Sequence, residues 1–169
     1  MEQKTTGRAL IVSYSYSGHT HRIAETLQAF TGADWCEIYP WQPYPMAFPE
    51  LLAQVKRELK TGYRPRLLPF SHAPKPYGLI FLGCPNWCGT LPPPVAAYLY
   101  QHDLSGKVIL PFYSHCGGVP CDMRGDIQKL CPKARVGESL SILNQDEDKL
   151  PVLFSQWLAR AGLAVAHKL

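Results

Sequence analysis

Acidic residues are in short supply in this chain. Its 13 aspartates and glutamates stand against 17 lysines and arginines, a formal net charge of +4 over 169 residues. Long apolar runs are also missing, and a bilayer-spanning helix needs about 20 such residues. The early stretch Ala9-Leu10-Ile11-Val12 is too short, and too deep in the chain, for the core of a secretory signal. A cytoplasmic protein without a membrane span is the expectation. The six cysteines, at positions 36, 84, 88, 116, 121 and 131, are then expected as free thiols. Cys84 and Cys88 are separated by three residues, Cys116 and Cys121 by four. Neither is a zinc spacing, and the three-cysteine runs of iron–sulfur sites are absent, so no metal site is expected. Two phosphate signatures are missing as well. No Gly-Lys-Ser/Thr ending marks a nucleoside triphosphate loop, and no three spaced glycines mark a dinucleotide fingerprint. The positive excess gathers in Lys56, Arg57, Lys60, Arg64, Arg66 and Lys75. That pattern reads as a solvated helix face followed by a loop. Nucleic-acid binding asks for a stronger basic balance and a recognisable motif, so no such partner is expected. An acidic protein partner or an anionic substrate stays open.

What the chain does have is a core. It is 46% hydrophobic and 18% charged, in a length that suits one domain over residues 1–169. No internal repeat or linker divides it. Strands are expected at Arg8 to Tyr14, Asp34 to Tyr39, Tyr77 to Gly83, Lys107 to Tyr113 and near Ala134 to Ile142. The first, third and fourth are continuous apolar runs of the kind buried on both faces of a parallel sheet. Helices are expected at His19 to Phe30, Pro49 to Thr61, Pro93 to Gln101, Val119 to Leu130 and Leu150 to Ala161. Pro120 and Gly125 interrupt the fourth of these. The second should turn Leu51, Leu52, Val55 and Leu59 inward. Strand alternating with helix predicts a doubly wound α/β domain with right-handed crossovers. The irregular part is Pro40 to Pro76, with eight of the 16 prolines and one helix inside. Connections of that length in a compact domain are often functional.

The chain is organised around Ser13-Tyr14-Ser15-Tyr16-Ser17-Gly18-His19-Thr20, which lies between the first strand and the first helix. The first amides of a helix have no internal partner, and its dipole is positive there. Gly18 lets the backbone approach a bound group, while Ser15, Ser17 and Thr20 offer hydroxyl donors. No Lys or Arg lies between Leu10 and His21, so a terminal phosphate held by neutral donors fits the loop best. The structural alternative is an ordinary turn with Thr20 as the helix cap. Ligands of an open parallel sheet bind beyond the carboxyl ends of its strands. Two further loops should arrive there. One runs from Cys84 to Pro94 and includes Pro85, Asn86, Trp87, Cys88 and Gly89. The other, Ser114-His115-Cys116-Gly117-Gly118-Val119-Pro120-Cys121, follows the fourth strand. A phosphate site beside an aromatic, backbone-rich pocket suggests a flat heterocycle carrying a phosphate tail.

These segments resemble the flavodoxin family, in particular its flavodoxin-like oxidoreductase branch. The resemblance rests on Ile11 to Thr20, on Tyr77 to Pro94, on Asp103-Leu104-Ser105-Gly106-Lys107 and on Cys131 to Val136, and so spans nearly the whole chain. It implies a five-stranded parallel sheet in the order 2-1-3-4-5 with helices on both faces, and FMN bound noncovalently. The family phosphate motif falls on Ser15, Ser17, Gly18, His19 and Thr20. Here Ser17 replaces the usual threonine and His19 the usual asparagine. The resemblance places backbone groups of Pro85 to Gly89 at the polar edge of the isoalloxazine, with Trp87 stacked on or packed beside it. Ser114, His115, Cys116, Gly117 and Gly118 approach the ring from the third loop. It implies a redox protein that passes electrons from a reduced nicotinamide or a reductase to a quinone-like or protein acceptor. A pure electron carrier and a non-catalytic FMN-binding module are the alternatives. Tyr39, Trp41, Tyr44 and Phe48 can line a substrate pocket, form a homodimer face or cap the sheet edge. At least one of Cys88, Cys116 and Cys121 is expected near the ring.

Overall fold

The apolar runs form strands, and the segments of helical period form the helices between them. The computed structural model describes residues 8–163; the expected domain bounds, 1 and 169, lie outside that range. The elements in order are β1 (Ala9–Ser13), α1 (His19–Thr31), β2 (Asp34–Glu37), α2 (Phe48–Thr61), β3 (Leu79–Pro85), α3 (Pro93–Gln101), β4 (Val108–His115), α4 (Met123–Leu130), β5 (Arg135–Val136), β6 (Leu140–Leu143) and α5 (Leu150–Arg160), with a 3-10 turn at Glu147–Lys149. All strand pairings are parallel, in the order β2-β1-β3-β4-β5, and β6 also pairs with β4. This is the order that the resemblance implies.

The expected fifth strand is two short pieces on the same edge of β4. β5 pairs with Val108 and Ile109, β6 with Phe112 to His115. Between them Gly137 donates its amide to Ile109 O at 2.9 Å, and a Cβ on Gly137 would strike the Leu110 side chain. The edge strand thus bends round Leu110 and resumes further along. Helix α4 starts four residues later than expected. Pro120 delays the turn, and the Asp122 side chain caps the helix by accepting from Gly125 N at 3.0 Å.

Two core layers flank the sheet. One packs Leu10, Val12, Ile80, Leu82 and Ile109 against α2, α3 and α4. The other packs Ile11, Phe81, Leu110 and Phe112 against Ile23 and Leu27 of α1 and Phe154, Trp157 and Leu158 of α5. Of the inward face expected for α2, Leu51 and Val55 are buried, while Leu52 and Leu59 are only half-buried. A carboxylate, Glu58, is buried in their place; it accepts from Tyr44 Oη at 2.6 Å and from Gln54 Nε2 at 3.0 Å.

The long connection is zipped at its two limbs. Trp41 N donates to Arg66 O at 2.7 Å and Leu68 N to Tyr39 O at 2.8 Å. Arg66 lies over the Trp41 ring and Arg64 over that of Tyr100, so two of the six clustered cations stack on aromatic faces. Among the described residues no helix is long and apolar enough to cross a membrane.

Candidate functional site

Parallel strands end on one edge, so the loops after β1, β3 and β4 are brought together there, as the sequence implied. Their mutual bonds show how closely. Asn86 N donates to Ser114 O at 2.9 Å, and Asn86 Nδ2 donates to Val119 O at 2.9 Å. Thr20 Oγ1 and Ser114 Oγ meet at 2.8 Å, both side chains buried. The first loop is thus tied to the third, and the third to the second.

In the first loop, Gly18 caps α1 with φ of 95°, a left-handed conformation that glycine adopts without strain. Its amide donates to Ser15 Oγ at 3.1 Å, and its carbonyl accepts from Arg22 N. Thr20 is not the cap. It lies inside the first turn of the helix and faces Ser114. The amides of Ser15, Tyr16, Ser17, His19, Thr20 and His21 make no hydrogen bond among the described residues. Six donors within seven residues, three before the cap and three in the first turn of a 13-residue helix, offer a cradle for an anion at its positive end. The donor set fits a phosphate monoester. Ser17 is exposed and carries the one hydroxyl of the motif that makes no hydrogen bond among the described residues.

A cation stands beside this cradle, one residue beyond the stretch that holds no Lys or Arg. Arg22 lies one turn into α1, and its Nη1 comes within 3.4 Å of where a Cβ on Gly18 would be. Helical side chains lean back toward the N-terminus, so a residue four along covers the loop before the helix. Arg22 Nε donates to Glu147 Oε1 at 2.8 Å, and Arg22 Nη2 to His19 Nδ1 at 3.0 Å. Nδ1 of His19 also lies 3.4 Å from Glu147 Oε1, but it cannot accept from Arg22 and donate to Glu147 together. The shorter contact assigns Nδ1 as the acceptor. The hydrogen bond from Arg22 holds the Glu147 carboxyl below its usual range.

The second loop turns tightly at its tip. Trp87 and Thr90 exchange backbone bonds, Trp87 N to Thr90 O at 3.0 Å and Thr90 N to Trp87 O at 3.1 Å, across Cys88 and Gly89. Both central residues have positive φ, 54° and 83°. Such turns favour glycine, and Cys88 is the one non-glycine residue among those described to adopt it. Gly89 N donates to Asn86 Oδ1 at 2.9 Å. A Cβ on Gly89 would meet Pro120 O, so the close approach of the two loops needs glycine. Trp87 is half-buried and meets Tyr14, Tyr16 and Tyr44 edge-on, with centroids 5.5, 5.7 and 5.0 Å away. It therefore packs within an aromatic cluster on one side. Pro92, Pro93 and Pro94 are buried at the start of α3, in keeping with a structural role.

In the third loop, Gly117 and Gly118 have φ of 101° and 98° and are exposed. His115 is engaged at both ring nitrogens, Nδ1 accepting from Gly117 N at 3.1 Å and Nε2 meeting Ser141 Oγ at 2.9 Å. The ring orders this loop and holds it against β6. All six cysteines are free thiols. Cys88 and Cys116 are exposed at the two loop tips, and Cys84 is buried with its Sγ 3.8 Å from Met123 Sδ. Burial pushes the Cys121 thiol up to about 11.

Next to the first loop lies a cavity of about 300 Å³ lined by Tyr14, Ser15, Tyr16, Tyr39, Pro40, Trp41, Pro43, Tyr44, Met46 and Leu68. Tyr16 Oη closes one side by donating to Pro45 O at 2.6 Å. Tyr44 is buried; Tyr39, Trp41 and Phe48 are exposed.

Comparison with solved structures gives a flavoprotein of Bacteroides eggerthii at 26% identity, covering 96% of this chain and all of that one, with a TM-score of 0.79. One from Bacteroides uniformis is 20% identical over 88% of this chain and 98% of that one, with a TM-score of 0.78. A Lactobacillus acidophilus flavoprotein, solved in complex with FMN, is 18% identical over 86% of this chain and 99% of its own, with a TM-score of 0.71. No curated protein matches the chain. The family model described as flavodoxin matches residues 8–159, most of the length, and the chain belongs to the flavodoxin family.

Proposed function

We propose that this protein binds FMN noncovalently and passes electrons from a reduced nicotinamide or a reductase to a quinone-like or protein acceptor. The observation that carries the reading is the run of six unpaired amides round Gly18 on the same sheet edge as the loops of Trp87 and Gly117. Ser15, Ser17, Gly18, His19 and Thr20 hold the phosphate. Backbone groups of Pro85, Asn86, Trp87, Cys88 and Gly89 and of Ser114, His115, Cys116, Gly117 and Gly118 frame the ring. Of these, Ser114 and His115 act by shaping the loop, because their side chains are bonded within the protein. When bound, the flavin supplies the electron-accepting chemistry, and the backbone groups around it tune its potential. The family likeness and the FMN in the Lactobacillus acidophilus relative support this cofactor.

The aromatic cavity favours an enzyme over a bare carrier. Its walls are flat and mostly apolar, which suits a planar acceptor of the quinone class. Protein mixed with excess FMN and then desalted is expected to keep a flavin absorption spectrum, and loss of all flavin overturns the reading. NAD(P)H oxidation by the loaded protein with a quinone then separates the classes. Turnover without a partner marks an enzyme, strict dependence on a reductase marks a carrier, and no redox cycling marks a binding module.

A further inference from the structure

The first loop contains no lysine or arginine, yet the fold delivers a guanidinium to it. Arg22 has two of its three nitrogens spent, Nε on Glu147 and Nη2 on His19. Nη1 makes no hydrogen bond among the described residues and is the nitrogen nearest Gly18. The carboxylate that orients it comes from far along the chain, in the 3-10 turn between β6 and α5. Glu147 therefore does two opposed things. It fixes Arg22 by a charge-assisted bond through Nε, and it places a negative charge beside a site made for anions. The side chains of Arg22 and Glu147 are 48% and 35% exposed, so neither is locked in the core and either can adjust.

Building on the FMN reading above, we propose that Arg22 is the cation of the phosphate site and that Glu147 is its resident counter-ion, competing with the phosphate for that charge. A phosphate monoester in the cradle meets Nη1 in addition to the free amides. A guanidinium suits this task because its fork serves Glu147 and the phosphate from different edges at once. The pair makes the protein selective for the phosphorylated flavin over the same ring without phosphate, and Glu147 sets how tightly it is held. Residues 22 and 147 are far apart in sequence and lie outside the phosphate motif, so only the fold joins them.

The test is a fluorescence titration with FMN and, in parallel, with riboflavin, which has the ring and no phosphate. Arg22→Ala is expected to weaken FMN by about 10- to 100-fold, the worth of one charge-assisted bond, and to leave riboflavin unchanged. Arg22→Lys should fall between. Glu147→Gln, which keeps an acceptor for Nε and removes the charge, should tighten FMN several-fold without moving riboflavin. The salt dependence of FMN binding should shrink in Arg22→Ala, since one charge pair is lost. Equal losses for both flavins, or no loss for either, remove Arg22 from the phosphate site. Unchanged or weaker FMN binding in Glu147→Gln overturns the counter-ion. Wild-type protein that binds neither flavin refutes the FMN reading itself, a different outcome from all of these. Both side chains are solvent-accessible, so the variants should fold, and unchanged circular dichroism checks that they do.

Discussion

Thr20 carries a hydroxyl that solvent does not reach, and its bond to Ser114 makes it both a member of the phosphate motif and a tie between two loops. Ser17, next to Gly18 but on the outside of the loop, has no such second task. The two should separate on substitution. Ser17→Ala is expected to weaken FMN binding by on the order of 1.5–3 kcal/mol while stability moves by no more than about 0.5 kcal/mol. Thr20→Ala strands the Ser114 hydroxyl in the interior and should cost about 1–3 kcal/mol of stability as well. Thr20→Ser should restore most of it. Urea unfolding of the apo proteins measures this, and equal stability of Thr20→Ala and wild type would sink the tie. The motif itself was legible in the sequence because it is local: a strand, a glycine and hydroxyls before a helix. Arg22 was missed by one residue. The stretch without Lys or Arg ends at His21, whereas the backward lean of helical side chains makes a residue one turn in part of the loop before it. Glu147 had no local signal at all.

At the scale of elements, apolar runs and helix periods were enough to place the strands and helices. The runs were continuous wherever a strand is covered on both faces. Departures came where individual side chains, rather than the periodic pattern, decide the backbone. Leu110 divides the edge strand, and Pro120 with Asp122 moves the start of α4. The same logic explains the end of β3. Gly83 is in register with Ser13 on one side and Phe112 on the other, and a Cβ there would fall inside the Phe112 ring. Phe112 is fully buried and meets Trp157 edge-on at 6.3 Å, so it cannot withdraw. Gly83→Ala is therefore expected to destabilise the protein by about 3 kcal/mol, the upper end for overpacking. A loss below about 1 kcal/mol in urea unfolding would show that the β4 ring can move and that β3 needs no glycine.

Across the whole molecule the two core layers differ in kind. The layer under α1 and α5 is built of aliphatic and aromatic groups that do not titrate, with Trp157 at its centre. The layer under α2, α3 and α4 contains Tyr14, Tyr44, Tyr98, Cys84 and Cys131, with Cys121 packed against it. Burial is the first cause that raises the pKa of each of these six groups. A group whose folded value is raised contributes stability that is whole below its unfolded value and is lost as pH climbs toward the folded one. Unfolded thiols titrate near 8.5 and unfolded tyrosines near 10, so the loss should begin above about pH 8.5 and steepen above about 10. For Cys121 it continues to about 11. Two tyrosines in this layer allow the idea to be tested in opposite directions. The Tyr98 hydroxyl is buried and has no hydrogen-bond partner among the described residues, so it is a cost at neutral pH and a liability in alkali. Tyr98→Phe should raise stability by on the order of 1 kcal/mol at pH 7 and make the alkaline decline shallower by one proton. Tyr44 instead donates to the buried Glu58 carboxylate at 2.6 Å. Tyr44→Phe removes that donor and should cost about 1.5–3 kcal/mol at pH 7, although it too relieves one proton in alkali. Urea titrations of the three proteins from pH 7 to 10.5 decide the matter. Parallel curves, with Tyr98→Phe no more resistant to alkali than wild type, would mean that the tyrosines of this layer do not govern its response to base.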